Sequence, residues 1–159
     1  MAYKKILVPH DGSAASDRAL ESAIPIAKAA GAQVVLLNVI GEVIIPAGVT
    51  DLGYSKTTGE KLTPTTLTKE LYQEMRKDAL LMLNQKKQKY LDEDENPVIE
   101  SRVMIGCPPD KITEFVREQR IDLVVMGITG LQGIAKIATI GSVARKVSEA
   151  SSCSVILVQ

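Results

Sequence analysis

The feature that most constrains the fold is the regular alternation of short apolar runs with longer helical patterns. The apolar runs are rich in Ile, Val and Leu, as strands are; they span Lys5–Pro9, Gln33–Ile40, Val98–Ile105, Asp122–Gly127 and Ser154–Gln159. Three of these runs are apolar throughout, which is typical of strands that are covered on both faces. The third run carries Glu100 and Arg102 on one face, so we expect it to be less buried and nearer an edge of the sheet.

Apolar residues at helical spacing predict helices between the strands, over Ser13–Ala30, Thr65–Leu91, Pro108–Arg120 and Ser142–Ala150. We expect Pro25 to kink the first helix locally and Gly31 to end it. The charged stretch NQKKQKYLDEDEN at the end of the second helix is interpreted as a solvated face and helix end. Strict alternation of strands and helices predicts an α/β fold, in which one open, mostly parallel five-stranded sheet carries helices on both faces.

Length and composition narrow the possible classes of protein. The chain has 159 residues and is 45% hydrophobic, which predicts one domain over residues 1–159 with a sizeable core. Nineteen basic residues balance nineteen acidic ones, so we expect no general attraction for nucleic acid or membranes. The first residues lack the apolar region of a signal peptide, and no apolar stretch approaches the ~20 residues of a membrane span. Together with the well separated Cys107 and Cys153, these features predict a cytoplasmic protein with reduced thiols and no zinc site.

One long stretch without a helical or strand pattern runs from residue 41 to residue 63. It exceeds the usual length of a loop in a compact domain. Two interpretations stay open: a mobile lid or partner-binding segment, and a tolerated insertion.

The first strand ends in the sequence VPHDGS, which places Asp11 just before the first helix. Asp11 or Ser13 can cap that helix, and this is the favoured interpretation from composition. A carboxylate at a strand end can also accept hydrogen bonds from a ribose or a base. His10 is the only histidine of the chain, and we interpret it as a neutral or solvated strand-end residue rather than a catalytic base.

The fourth strand runs into the glycine-rich stretch MGITGLQGIAKIATIGS, from Met126 to Ser142. Glycines let the backbone approach a ligand, and the following helix N-terminus adds N–H donors and a positive dipole end, which suits a phosphate chain. A plain loop with a capping serine is the alternative. The stretch is not a P-loop, since Lys136 is followed by Ile137, and the chain has neither GxGxxG after its first strand nor GxSxG.

Taken together, these motifs resemble the universal stress protein family. The resemblance is carried by KKILVPHDGSAASDRALESAIPIAKAAGAQVVLLNVI, by GCPPDKITEFVREQRIDLVVMGITG and by GSVARKVSEASSCSVILVQ. It implies the strand order 3-2-1-4-5 and a homodimer formed through the last strand, over Val155, Ile156, Leu157 and Val158.

The family resemblance also implies a subtype that binds ATP through a Gly-x2-Gly-x9-Gly-[Ser/Thr] motif. The residues that it places around ATP are Pro9, Asp11, Val39, Met126, Gly127, Ile128, Thr129, Gly130, Leu131, Gln132, Gly133, Gly141, Ser142 and Val143. The first three would surround adenine and ribose, and Met126 and Gly127 would lie against the nucleoside. Donors to the phosphates, which would also carry any Mg²⁺, would come from Gly130, Gly141, Ser142 and Val143.

Two departures from the family pattern stand out. Ten residues separate Gly130 from Gly141, where the motif has nine, so the Gly-Ser pair can shift relative to the first glycines unless a bulge at Gly133 restores the geometry. Ser154 stands where members often have Pro. Lys136 lies in the same loop, where it points either to solvent or towards the phosphates.

The leading hypothesis is a regulatory or stress-response protein that binds ATP as a ligand. No residue pattern supplies a general base or a water-positioning group, so efficient hydrolysis is not expected, although slow turnover stays open. A nucleotide-free dimeric adaptor is the second hypothesis. A flavodoxin-like electron carrier is disfavoured, because the candidate loops after the first and fourth strands lack the aromatic residues that flavin sites commonly use.

Overall fold

The computed structural model of the chain describes residues 3–49, 51–91, 97–129 and 140–159. Strands and helices alternate along these residues. The elements are β1 (Lys5–Pro9), α1 (Ala14–Ala30), β2 (Gln33–Ile40), α2 (Pro64–Gln88), β3 (Ile99–Ile105), α3 (Pro108–Glu118), β4 (Leu123–Gly127), α4 (Ser142–Ala150) and β5 (Ser154–Val158).

The strands form one five-stranded sheet in the order β3-β2-β1-β4-β5. Every neighbouring pair is parallel, with Leu7 of β1 opposite Val35 of β2 and Val124 of β4. The predicted fold class and the strand order implied by the family resemblance are both confirmed. β3 lies at one edge with Arg102 exposed, as its alternating pattern predicts.

The ends of several elements differ by a few residues from the predicted ones. α3 ends at Glu118 rather than Arg120, because Arg120 takes the left-handed conformation with φ 52°. β4 begins after Asp122, whose carboxylate accepts hydrogen bonds from the N–H groups of Lys4 and Lys5 at 2.8 and 2.9 Å. α2 ends at Gln88, three residues before the predicted end.

Two apolar layers form the core, one on each face of the sheet. α1 and α2 cover one face, where Leu83 and Val8 belong to the same buried cluster. α3 and α4 cover the other, where Phe115 and Val147 pack with Leu7. Because Leu7 and Val8 are consecutive and point to opposite faces, β1 needs apolar residues throughout, which is the pattern that its sequence shows.

The helix signals in the sequence correspond to observed caps. Thr63 and Thr66 form a reciprocal capping box at the start of α2. Gly31 ends α1 in the left-handed conformation, with φ 65°. α1 continues through Pro25, which lies on its exposed side.

Candidate functional site

The topology places a crevice between the carboxyl ends of β1 and β4. The chain leads from β1 to β2 and β3 on one side and from β4 to β5 on the other, so the strand order reverses between β1 and β4. Ligands of open α/β sheets bind at such a point. The loops that carry most of the predicted site residues, after β1 and after β4, both begin there.

The turn after β1 is built from its own side chains. Ser13 is the N-cap of α1, and its Oγ accepts a hydrogen bond from Ser16 N at 3.2 Å. Asp11 is exposed and its Oδ1 accepts one from Ser13 N at 3.0 Å. Gly12 has φ 90°, a conformation that other residues rarely adopt. The capping interpretation is therefore confirmed for Ser13. Asp11 stabilises the turn through its hydrogen bond from Ser13 N, and it lies at the crevice.

His10 is buried beneath this turn, with 2% of its surface exposed. Its Nε2 lies 3.1 Å from Asp17 Oδ1, and its Nδ1 accepts a hydrogen bond from Gly12 N at 3.2 Å. Burial lowers the pKa of His10 below its ordinary value, more than the carboxylate of Asp17 raises it. The lowered pKa favours the neutral imidazole at pH 7, and the ring is buried rather than solvated.

The turn at the end of β4 is closely packed against α1. Met126 is buried, and a Cβ placed on Gly127 would lie 2.8 Å from both the carbonyl carbon and the Cβ of Ala15. Real Cβ atoms essentially never come so close to another heavy atom. The first glycine of the motif is therefore required by packing in this chain, whatever it contributes to a ligand.

The two ends of the glycine-rich stretch meet at Ile128. The N–H of Gly141 donates to the Ile128 carbonyl at 2.8 Å, and the Ile128 N–H donates to the Val158 carbonyl at 2.8 Å. The start of α4 is thereby held beside the end of β4. Four residues of the predicted site lie outside the described residues, as does most of the stretch with the extra residue; they are Gly130, Leu131, Gln132 and Gly133.

The first turn of α4 faces this junction without a side-chain cap. The N–H groups of Ser142 and Val143 belong to that turn and have no acceptor within their own helix. They are the kind of donors that an anion binds, and the dipole of the helix favours negative charge there. The Gly141 N–H, in contrast, is already used by Ile128.

Three apolar residues of the predicted site border one layer of the core. Met126 belongs to the cluster under α3 and α4, and the half-buried Val39 and Val143 pack against that cluster. Pro9 ends β1 opposite Leu37 and is also half-buried. The fold thus brings an apolar wall, an acidic turn and a helix N-terminus to one end of the sheet.

The sequence did not predict the ion pair that holds the Asp17 carboxylate beside His10. Lys86 of α2 lies 2.7 Å from Asp17 Oδ1 and 2.8 Å from Asp17 Oδ2. In the same region Lys89 pairs with Glu21 of α1 at 2.9 Å. These lysines belong to the charged run interpreted as solvated, and no local signal marks a partner so far away in the sequence.

The segment 41–63 lies against α2 over its described part. The Val43 N–H donates to the Tyr72 hydroxyl at 2.9 Å, and the buried Ser55 donates to Glu70 Oε1. A groove of about 660 Å³ runs between Ile45 and the first turns of α2. The groove contains none of the predicted site residues.

The described residues hold neither a candidate metal centre nor a candidate membrane-spanning helix. Within the described residues, no three His, Cys, Asp or Glu side chains are grouped so as to hold a metal ion. No helix in that part of the chain is long and apolar enough to cross a membrane.

Comparison with known sequences identifies a family. The model of the universal stress protein family matches residues 2–159. Universal stress protein MJ0531 of Methanocaldococcus jannaschii is 34% identical over 157 residues, which cover 99% of this chain and 82% of that protein. Universal stress protein YxiE of Bacillus subtilis strain 168 is 30% identical over 157 residues, which cover 99% of both chains.

Solved structures agree with this family. The universal stress protein UspA from Lactobacillus plantarum superposes with a TM-score of 0.78 at 26% identity, covering 100% of this chain and 99% of that one. A universal stress protein crystallised in complex with cAMP superposes with a TM-score of 0.58 at 26% identity, covering 100% of this chain and 98% of that one.

Proposed function

We propose that this chain, which belongs to the universal stress protein family, is a cytoplasmic regulatory protein whose residues 1–159 form one ATP-binding domain. ATP acts here as a bound ligand rather than as an efficiently hydrolysed substrate. The adenosine moiety lies near the end of β1, between Asp11 and the apolar wall of Val39 and Met126. The phosphates, with any Mg²⁺ that they carry, lie at the first turn of α4.

The observation that carries this proposal is the hydrogen bond from Gly141 to Ile128. It holds the uncapped start of α4 at the point where the strand order reverses. A nucleoside and a polyphosphate need different surroundings, and the two ends of this crevice supply them: apolar contacts and a carboxylate on one side, backbone donors on the other. The cAMP complex of a family member with 26% identity supports a nucleotide as the ligand.

His10 does not supply a base for hydrolysis in this arrangement. Both of its ring nitrogens have hydrogen-bond partners within the protein, and the ring is buried. This supports binding rather than turnover as the role of the site.

The decisive experiment places the same charge at either end of α4. Ser142→Asp adds a carboxylate at the first turn, where it repels the phosphates, and Ser152→Asp adds one just beyond the helix at its other end. A carboxylate at a helix N-terminus stabilises the helix, so loss of binding would not reflect unfolding. We expect Ser142→Asp to weaken ATP binding at least about tenfold, as measured by calorimetry. The reason is that like charges a few ångströms apart cost over about 1.4 kcal/mol at an intermediate dielectric constant.

Adenosine serves as the control ligand, since it has no phosphate. We expect both variants to bind adenosine as the wild type does. Equal ATP affinity in the two variants would show that the phosphates do not lie at α4.

A second candidate function, a nucleotide-free dimeric adaptor, rests on the open edge of the sheet. β5 is one of the two edge strands, and Ile156 is exposed on it. An unpaired edge strand offers backbone groups to a second chain, which fits the homodimer proposed through Val155, Ile156, Leu157 and Val158. No ATP binding at millimolar concentration would favour this candidate.

Sedimentation of Ile156→Lys tests the dimer. Ile44→Lys is its matched control, because Ile44 is exposed and belongs to none of the strands. We expect the first variant to shift towards the monomer and the second to behave like the wild type. A monomeric wild type would overturn the dimer, whichever ligand binds.

A further inference from the structure

His10 links the core of the protein to the turn that carries Asp11. Its backbone is held by β2, because its N–H donates to the Leu37 carbonyl at 2.8 Å and its carbonyl accepts from Asn38 Nδ2 at 2.8 Å. Its ring in turn holds Gly12, through the 3.2 Å bond from the Gly12 N–H to Nδ1. Asp11 therefore lies between His10, which β2 holds, and Gly12, which the His10 ring holds.

The hydrogen bonds define the tautomer of the ring. A backbone N–H can only donate, so Nδ1 must carry a lone pair and the proton must be on Nε2. That proton points to Asp17 Oδ1 at 3.1 Å. The Ser16 Oγ lies 3.3 Å from Nδ1, and its hydroxyl donates to the Ser13 carbonyl at 2.8 Å.

We propose that His10 is a positioning residue for the nucleotide site, which holds the Asp11 turn in place only while its imidazole is neutral. This role rests on the proposed function. Protonation would put a hydrogen on Nδ1, which the Ser16 Oγ can accept but the Gly12 N–H cannot. The Gly12 N–H would then lose its acceptor, and the turn would be released. Nucleotide affinity then falls as the pH falls through the His10 titration, although the group that titrates, His10, does not itself touch the ligand.

Charged groups from every side set the pH at which this happens. Asp17 of α1 and Asp11 of the turn raise the pKa of His10, while Lys86 of α2 lowers it and burial lowers it most. The net direction is down from 6.5, so the turn is intact at neutral pH and is lost on acidification. Because Lys86 also binds Asp17, it holds the carboxylate in place against the ring.

Three substitutions separate positioning from packing. His10→Asn keeps an oxygen acceptor near the place of Nδ1 but cannot titrate, whereas His10→Leu keeps the bulk and removes the acceptor. Lys86→Met removes the cation and keeps an unbranched stem. If the role of His10 were purely structural, adenosine affinity would depend on pH in the same way in His10→Asn and in the wild type.

The experiment measures adenosine affinity by calorimetry, from about pH 7.5 down to the lowest pH at which the protein stays folded. Adenosine is used because it has no phosphate group. The second ionisation of a phosphate falls at about pH 6 and would add a pH dependence of its own. NMR of the imidazole is followed in parallel, and since the chain has a single histidine its signals need no assignment.

We expect the wild type to lose about tenfold in affinity on acidification, the value of one buried hydrogen bond, with a midpoint that coincides with the His10 titration. His10→Asn should bind nearly as well as the wild type at neutral pH and show no such midpoint. His10→Leu should bind about tenfold more weakly already at neutral pH. Lys86→Met should move both midpoints to higher pH.

Two failures can be told apart. If the wild type binds no nucleoside or nucleotide at neutral pH, the proposed function falls, and this role falls with it. If the wild type binds with an affinity that ignores the His10 titration, or if His10→Leu binds normally, the positioning role alone is overturned. An Nδ1–H tautomer in the NMR spectrum would overturn it as well.

Discussion

The packing at Gly127 yields a prediction that needs no ligand. In Gly127→Ala, the new Cβ would lie 2.8 to 2.9 Å from three atoms of Ala15, two of which belong to the backbone of α1. Ordinary contacts begin at 3.4 Å, so α1 or β4 must shift by roughly half an ångström. Overpacking of this kind costs about 1–3 kcal/mol in the free energy of unfolding.

The matched control is Gly41→Ala. A Cβ at Gly41 meets nothing within 4 Å, and its φ lies outside the left-handed region. We expect that variant to stay within about 0.5 kcal/mol of the wild type. Urea unfolding followed by far-ultraviolet circular dichroism measures both, which suits a chain without tryptophan. In thermal scans the loss at Gly127 corresponds to about 2–12 °C.

A double substitution checks the mechanism. Ala15→Gly removes the Cβ contact but leaves the two backbone contacts, so combining it with Gly127→Ala should recover only part of the loss. Equal stability of Gly127→Ala and Gly41→Ala would refute the reasoning. It would mean that α1 moves away from β4 at no cost, and that Gly127 is required, if at all, by a ligand.

Three further outcomes are expected. Ser13→Ala removes the cap of α1 and should cost about 1 kcal/mol in urea unfolding, whereas a loss near zero would show that the cap is dispensable. Tyr72→Phe removes the acceptor for Val43, so trypsin should cleave the segment 41–63 about two- to tenfold faster, and an unchanged rate would show that this bond does not hold it. Two backbone N–H donors lower the pKa of Asp122. The ionised carboxylate therefore stabilises the fold at pH values above its ordinary pKa of 3.8, and this stabilisation is lost as the pH falls through the lower pKa of the folded state. Asp122→Asn should therefore be less stable than the wild type at neutral pH, with the difference shrinking in acid; a constant difference would contradict this sign.

Local pattern predicted most of the secondary structure. The bounds of β1, β2 and α4 were predicted to the residue, because β1 and β2 are clear apolar runs and α4 begins directly after Gly141. The alternation of elements was enough for a parallel sheet, but the strand order followed from the family resemblance. The third strand was placed near an edge because Glu100 and Arg102 break its apolar pattern.

Contacts between distant parts of the chain were beyond such patterns. Lys86 and Asp17 are 69 residues apart, and no local sequence pattern near either residue indicates that the other is its partner. The burial of His10 depends on that contact and on the turn above it. The packing role of Gly127 likewise depends on how closely α1 approaches β4, which no glycine motif contains.

Ile128 has a consequence for how binding and assembly would affect each other. Its peptide groups bond on one side to Val158 of the edge strand and on the other to Gly141 at the start of α4. With ATP bound at α4 and a second chain paired with β5, Ile128 would be hydrogen-bonded to both of the elements involved. The thermodynamic cycle then demands reciprocity: any factor by which dimer formation tightens ATP binding is the factor by which ATP tightens the dimer. Measuring ATP affinity above and below the dimer dissociation constant gives that factor directly.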